Sequence, residues 1–269
     1  GNMALAYGAK GFMVYMVPTW NAIPGEVEGD TVWNTYGLFD QFQNAYAGID
    51  GSGLVQHPCS TQVPNTRYNA VHDLIEDTKK IDDIILGLNW QNARSWNHSY
   101  SGTPTWIENI DTKIPGESSF DATKYVETGE FVENGQTAEG TDERYVYIVN
   151  KRCNLQGNDN SAREISFNIA RFKDYVNYKI TDLKSNIVYY KTYYQPLTLN
   201  LPAGGGTLLL IEPVVHSGGV LLESESLEHP VIVKSDLILS PGKTLGIHSD
   251  CEMTFLNSAK LDVSSGYLN

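Results

Sequence analysis

Six histidines and three cysteines are the side chains of this sequence best suited to nucleophilic or metal chemistry, and their spacing supports neither. His57, His72, His98, His216, His229 and His248 are scattered, with no HExxH pair, no triad order and no G-x-S-x-G elbow. Each reads as structural. Cys59, Cys153 and Cys251 lie in three different segments without CxxC spacing, so no zinc site or other metal centre is expected. An odd count allows at most one internal disulfide. Cys59 to Cys153 would tie an early segment to a later one, but the pair cannot be chosen from the sequence and free buried thiols are the expectation. Asn154 to Ser161, with Asn158-Asp159-Asn160, offers oxygens that suit calcium, and reads more simply as a hairpin loop. Pro202-Ala203-Gly204-Gly205-Gly206 is a turn, because it lacks the Lys-Ser/Thr and the helix of a phosphate loop. Asn97-His98-Ser99 is the single N-glycosylation sequon. No cofactor is implied.

The elements that carry these residues belong to a folded chain. At 269 residues it is long enough for one or two domains of about 150 residues each. An apolar content of 41% with 19% charged residues excludes global disorder. Nineteen basic against 32 acidic residues give a net charge of −13, which repels phosphate backbones and anionic lipid. The basic runs are no longer than Lys79-Lys80 and Lys151-Arg152, so no nucleic-acid partner is expected. No apolar stretch approaches the roughly 20 residues of a membrane span.

Met3-Ala4-Leu5-Ala6-Tyr7 reads as the last turns of a helix, with Gly8 as the left-handed residue after it. No signal peptide is read in these first residues. The continuous apolar run Gly11 to Val17 follows, a strand buried on both faces and ended by Pro18. Helix, turn and buried strand make the end of an α/β unit. Residues 18 to 68 form an aromatic-rich connection, and connections that long are usually functional. Val71, Leu74, Ile75, Ile81, Ile84, Ile85 and Leu88 recur at helical spacing, predicting one amphipathic helix that closes near Gly87. Residues 89 to 122, with Trp90, Trp96 and Trp106, read as an irregular connector. From about 123 the period becomes two, through Tyr145 to Val149, Ile165 to Ile169, Leu197 to Leu201 and Thr207 to Ile211. That spacing predicts an antiparallel β-sandwich. From Pro230 onward, short strands alternate with Ser-Pro-Gly, His-Ser-Asp and Asn-Ser-Ala breaks, and Ser240 to Ile247 is echoed at Leu256 to Val263 after 16 or 17 residues. The rhythm is that of a β-solenoid, whose coils are stable only in stacks of about three or more. Both ends therefore predict a piece of a longer polypeptide.

The order Met3 to Tyr15 resembles the last helix-strand step of the (β/α)8 TIM barrel in retaining glycoside hydrolases, particularly family-42 β-galactosidases. Gly48-Ile49-Asp50-Gly51 or Gly53-Leu54-Val55, then Thr66 to Val71, resemble the approach to the eighth helix of those barrels. Arg144 to Arg152 and Leu199 to Leu209 look like the small β domain that often trails them. The resemblance covers about residues 1 to 213. It implies a mostly β multidomain fragment with four parts: residues 1–95 as the C-terminal part of the barrel, 96–122 as connector, 123–214 as β-sandwich and 215–269 as the start of a solenoid.

The resemblance also implies that the two catalytic carboxylates sit on the fourth and seventh barrel strands, upstream of Gly1, so the catalytic residues of this chain are unknown. Barrel sites lie at the C-terminal ends of the strands, which places Trp20 and its loop toward the pocket. Trp20 is the expected sugar platform, since an indole face packs against sugar C–H groups. Trp33, Tyr36, Glu26 and Glu28 share that loop as further candidates for substrate binding. The implied protein is secreted or on the cell surface and acts on carbohydrate. Its other partners would be the upstream barrel half and further solenoid coils of the same polypeptide. The competing expectation is a non-catalytic surface protein for glycan binding, adhesion or extracellular assembly. By itself this chain is expected to turn over no glycoside.

Overall fold

The computed structural model describes residues 1–11, 39–41, 62–64, 66–97, 105–152, 161–173, 175, 177–249, 251–264 and 266–269. In chain order these carry α1 (Asn2–Ala6), β1 (Phe39–Gln41), β2 (Gln62–Pro64), α2 (Thr66–Thr78), α3 (Asp82–Leu86) and then strands only. The chain divides into two compact units: Gly1 with residues 11–82, and residues 2–10 with 83–269. The first unit is thus an excursion, leaving the second after Lys10 and returning at Asp83. Within it, β1 and β2 pair antiparallel and α2 follows. The buried strand expected at Gly11 to Val17 lies, beyond Gly11, outside the described residues.

Instead of one helix closing at Gly87, two are present. The Thr78 hydroxyl donates to the Leu74 carbonyl at 2.7 Å, and the Ile81 N–H turns back three residues to Thr78. A β-branched hydroxyl residue followed by this tighter turn ends α2, and α3 restarts at Asp82.

In the second unit, the strands β3 (Leu88–Trp96), β4 (Ile107–Lys113), β5 (Val126–Glu133), β6 (Arg144–Asn150), β7 (Arg163–Ile169), β8 (Asn177–Asp182), β9 (Ile187–Thr192), β10 (Leu197–Leu201) and β11 (Gly206–Pro213) form two antiparallel sheets. One has the order β3-β5-β6-β11-β8-β9 and the other β10-β7-β4. Their facing sides close one core, with Ile107, Ile165, Phe167 and Leu199 from the small sheet against Val126, Val146, Ile180 and Leu209 from the large one. The strict alternation of β7 and β10, buried at every second residue, is what one packed and one wetted face require.

The Trp-rich stretch 89 to 122 is not wholly irregular, since β3 and β4 lie in it. Each carries a bulge, between Trp90 and Asn92 in β3 and between Glu108 and Asp111 in β4, where Asn109 has φ +54°. One extra residue shifts the side-chain alternation to the other face and hides a period of two.

β5 is buried on both sides. Val126, Thr128, Glu130 and Val132 face the sandwich core, while Glu127, Gly129 and Phe131 face α1. The helix sits directly on Gly129, where a β-carbon would lie 2.0 Å from the Ala6 carbonyl oxygen. Tyr7 donates to Glu127 at 2.7 Å, Tyr147 donates to the Asn2 side chain at 2.6 Å, and Asn2 donates to the Gly204 carbonyl at 2.9 Å. Gly8, at φ +82°, ends the helix as its left-handed residue. The Lys10 ammonium then donates to the carbonyls of Ile85 and Leu88, joining the points where the chain leaves and rejoins this unit. Burial lowers the pKa of that lysine.

After β11 come β12 (Val215–His216), β13 (Gly219–Leu221), β14 (Glu225–Leu227), β15 (Val231–Val233), β16 (Leu237–Leu239), β17 (Thr244–Ile247), β18 (Met253–Phe255), β19 (Leu261–Asp262) and β20 (Tyr267–Leu268). Strands β12 to β17 each pair in parallel with the third strand after them, giving three sheets of three strands: β12-β15-β18, β13-β16-β19 and β14-β17-β20. Leu227, Val231, Val233, Leu237, Leu239 and Leu245 fill the space they share. The sequence echo of 16 or 17 residues is not the stacking register. Leu245 pairs with Leu268 and Leu261 with Leu237, and the offsets run from 17 residues (215 to 232) to 24 (237 to 261). The echo matches strands of different sheets, because similar turns serve each corner.

The first parallel sheet is attached to the sandwich. Val231 and Val233 point into the parallel-sheet core, whereas Ile232, fully buried, belongs to the sandwich core with Val215 and Leu256 against it. Asp142 bridges the same seam, ion-paired to Lys173 and, at 3.7 Å, to Lys234.

Candidate functional site

A cavity of about 590 Å³ lies at this seam, lined by Tyr190, Gln195, Glu228, His229, Pro230 and His248. Tyr190 projects from β9, and Gln195 from the turn leading to β10. Glu228, His229 and Pro230 form the turn between β14 and β15, and His248 directly follows β17. Three separate elements converge, and their backbones are tied together. The His248 N–H donates to the Leu227 carbonyl at 3.0 Å, and the Cys251 N–H to the His248 carbonyl at 2.9 Å. The Cys251 thiol donates to the His229 carbonyl at 2.9 Å, and its burial raises the thiol pKa, which keeps it a donor.

The rings of Tyr190 and His229 stack with centroids 3.7 Å apart and planes 13° from parallel. The Gln195 side-chain oxygen accepts the Thr192 N–H at 3.2 Å, and its amide group has no partner among the described residues. Asn177 and Thr192 are opposite one another in the β8–β9 ladder, so their side chains share the face that also bears Tyr190. Both are buried, and the amide of Asn177 and the hydroxyl of Thr192 have no hydrogen-bond partner among the described residues. The Tyr190–His229 stack, with the His248 imidazole, the Gln195 amide and the Glu228 carboxylate in the same lining, provides apolar faces with interspersed donors and acceptors, as a small polar ligand requires.

Paired carboxylates for glycosidic chemistry are a different matter. Among the described residues, Glu228 is the one carboxylate in the cavity lining. Glu127 and Glu130, both buried on β5, face opposite sides of that strand and cannot flank one bond. Glu127 is neutralised by Lys151 at 2.9 Å. Glu130 accepts the Trp106 N–H at 2.7 Å, and burial pushes its pKa above the ordinary glutamate value, against the opposing pull of that N–H and of Arg144. The folded state therefore holds the Glu130 proton more tightly than the unfolded chain. Its stabilisation is complete below the ordinary value near 4.5 and is lost as pH rises through the folded value. Glu130→Gln keeps the acceptor oxygen and removes the charge. Urea denaturation across a pH series is expected to show the variant at least as stable as the parent at pH 7, with the difference vanishing below pH about 4. A deficit of equal size at both ends of the series contradicts this account.

Trp20, Trp33, Tyr36, Glu26 and Glu28 lie outside the described residues, as do Cys59, Cys153 and the Asn158-Asp159-Asn160 loop. Among the described residues no three His, Cys, Asp or Glu side chains are grouped to hold a metal ion, and no helix is long and apolar enough to cross a membrane. The seam residues carry no sequence signal, because positions 190, 195, 228 and 248 meet only through the packing of the parallel sheets on the sandwich. His229 and His248 read as structural for that reason.

No protein-family profile matches the chain, and no curated protein matches it. Among solved structures, α-galactosidase I from Mortierella vinacea aligns with a TM-score of 0.23 and 16% identity over 32% of this chain. The aligned part is 20% of that enzyme's length. So slight a likeness carries neither fold nor activity.

Proposed function

We propose that this chain binds neutral glycans, as the part of a secreted or cell-surface glycoside hydrolase that trails a TIM barrel whose catalytic carboxylates lie upstream. The seam cavity carries the reading. Its Tyr190 ring suits the C–H face of a sugar, and its amide, imidazole and carboxylate groups suit hydroxyls. The single carboxylate among the described lining residues fits binding, since retaining hydrolysis needs two about 5 to 5.5 Å apart. The net charge of −13 disfavours sulfated or uronate-rich polymers and leaves neutral sugars as the compatible class. In this reading the three parallel sheets are the coils of a β-solenoid stacked on the sandwich. Trp20, Trp33, Tyr36, Glu26 and Glu28 are proposed as a second carbohydrate-contacting surface at the end of the barrel strand, in keeping with the family-42 resemblance.

Titration of the whole chain with neutral oligosaccharides, and with polygalacturonate and heparin for contrast, tests the proposal. Saturable binding of the neutral set alone is expected, with no release of nitrophenol from aryl glycosides. Binding confined to the anionic polymers, or none, overturns it.

A further inference from the structure

The Tyr190 face that a sugar would use is the face against which His229 lies, at 3.7 Å and nearly parallel. That separation is ordinary van der Waals contact between ring atoms. The imidazole thus occupies the position of a stacked pyranose. It is held there lightly: His229 is exposed on a short turn, and its anchoring hydrogen bond, from the Cys251 thiol, is to its backbone carbonyl. The ring makes no hydrogen bond to the described residues, so a side-chain rotation frees the tyrosine without breaking one. On the same face of β8 and β9, one strand step from Tyr190, the Thr192 hydroxyl and Asn177 amide are buried without hydrogen-bond partners among the described residues. Buried polar groups in folded proteins are nearly always satisfied, and these two neighbouring exceptions lie on the sheet face that bears the cavity-lining Tyr190, where a hydrogen-bonding ligand would find partners.

We propose that His229 is a gate on Tyr190, displaced when the apolar face of a neutral pyranose stacks on the tyrosine and the sugar hydroxyls reach Thr192 and Asn177. This rests on the glycan-binding reading above and adds where the sugar sits and what it must move. Because the stack has to be broken first, the gate lowers affinity. Aromatic pairs of this kind correspond to about a 2- to 10-fold factor in an equilibrium constant.

The test titrates the whole chain with maltotriose, cellotriose and galactobiose by calorimetry, following the His229 ring protons by NMR. For the saccharide that binds, His229→Ala is expected to tighten binding about 2- to 10-fold. Tyr190→Ala abolishes it, and Tyr190→Phe, which keeps the platform, preserves it. Thr192→Val weakens binding several-fold without lowering the melting temperature. The His229 resonances move downfield on saturation as the ring leaves the tyrosine ring current. If the parent chain binds a saccharide but His229→Ala binds it no more tightly, or the His229 signals stay in place, the gate is overturned and glycan binding stands. If the parent binds none of the three and the wider neutral set also fails, both fall.

Discussion

Replacing Ile232 with alanine is expected to cost about 2 to 5 kcal/mol, the range for a fully buried isoleucine whose site cannot collapse around the loss. Ile232 is the middle residue of a three-residue strand, a place where one side chain normally faces outward. Here outward means into the sandwich core, because the first parallel sheet is packed there. Ile238 is the matching middle residue of the neighbouring parallel sheet and is 36% exposed. Ile238→Ala is expected within about 0.5 kcal/mol of the parent, as surface substitutions usually are. Equilibrium denaturation of both variants, followed by tryptophan fluorescence, makes the comparison. A cost below 1 kcal/mol for Ile232→Ala would show that the parallel sheets do not share the sandwich core. A large cost from Ile238→Ala would show that the wrong face has been taken as solvent-exposed.

Gly129→Ala is expected to destabilise by about 3 kcal/mol, near the top of the range for overpacking. In open space the same change would help, since alanine restricts the unfolded chain and suits a strand better than glycine. Space decides the sign. The added carbon would meet the Ala6 carbonyl at 2.0 Å and its α-carbon at 2.8 Å, and backbone does not give way as a side-chain tip does. The segment that must move is α1, which buries Leu5 and Ala6 and, through Tyr7, supplies one hydrogen bond to the buried Glu127 carboxylate. Hydrogen exchange should therefore show residues 2–10 losing protection first, with β6 and β11 retaining theirs. Unchanged stability with α1 still protected would mean that the helix does not sit on Gly129 in solution.

The sandwich was legible in the sequence wherever an unbroken strand has one buried and one wetted face. β7 and β10 show that alternation residue by residue, and the helix ending at Gly8 was equally plain from its own local chemistry. β3 and β4 were hidden because a bulge in each strand moves the pattern to the other face partway along. α2 and α3 read as one helix because the break at Lys79 comes from a threonine hydroxyl turning on its own backbone, which leaves the apolar spacing intact. Among the site candidates, Trp20 and its loop stood out by residue type and family likeness, while the described cavity left no mark. Tyr190 sits in an ordinary strand pattern, and His229 and His248 sit in turns.

The sequence by itself determined what each segment does locally: which residues alternate, where helices stop, which turns need glycine, and an acidic balance that repels polyanions. Tertiary structure alone decided what packs on what. Ile232 becomes sandwich core, Gly129 a landing place for α1, and Tyr190 the partner of His229, because these neighbours are up to 120 or more residues apart in the chain. A strand's periodicity records that one face is covered, and the identity of the covering surface is set only when all the layers close together.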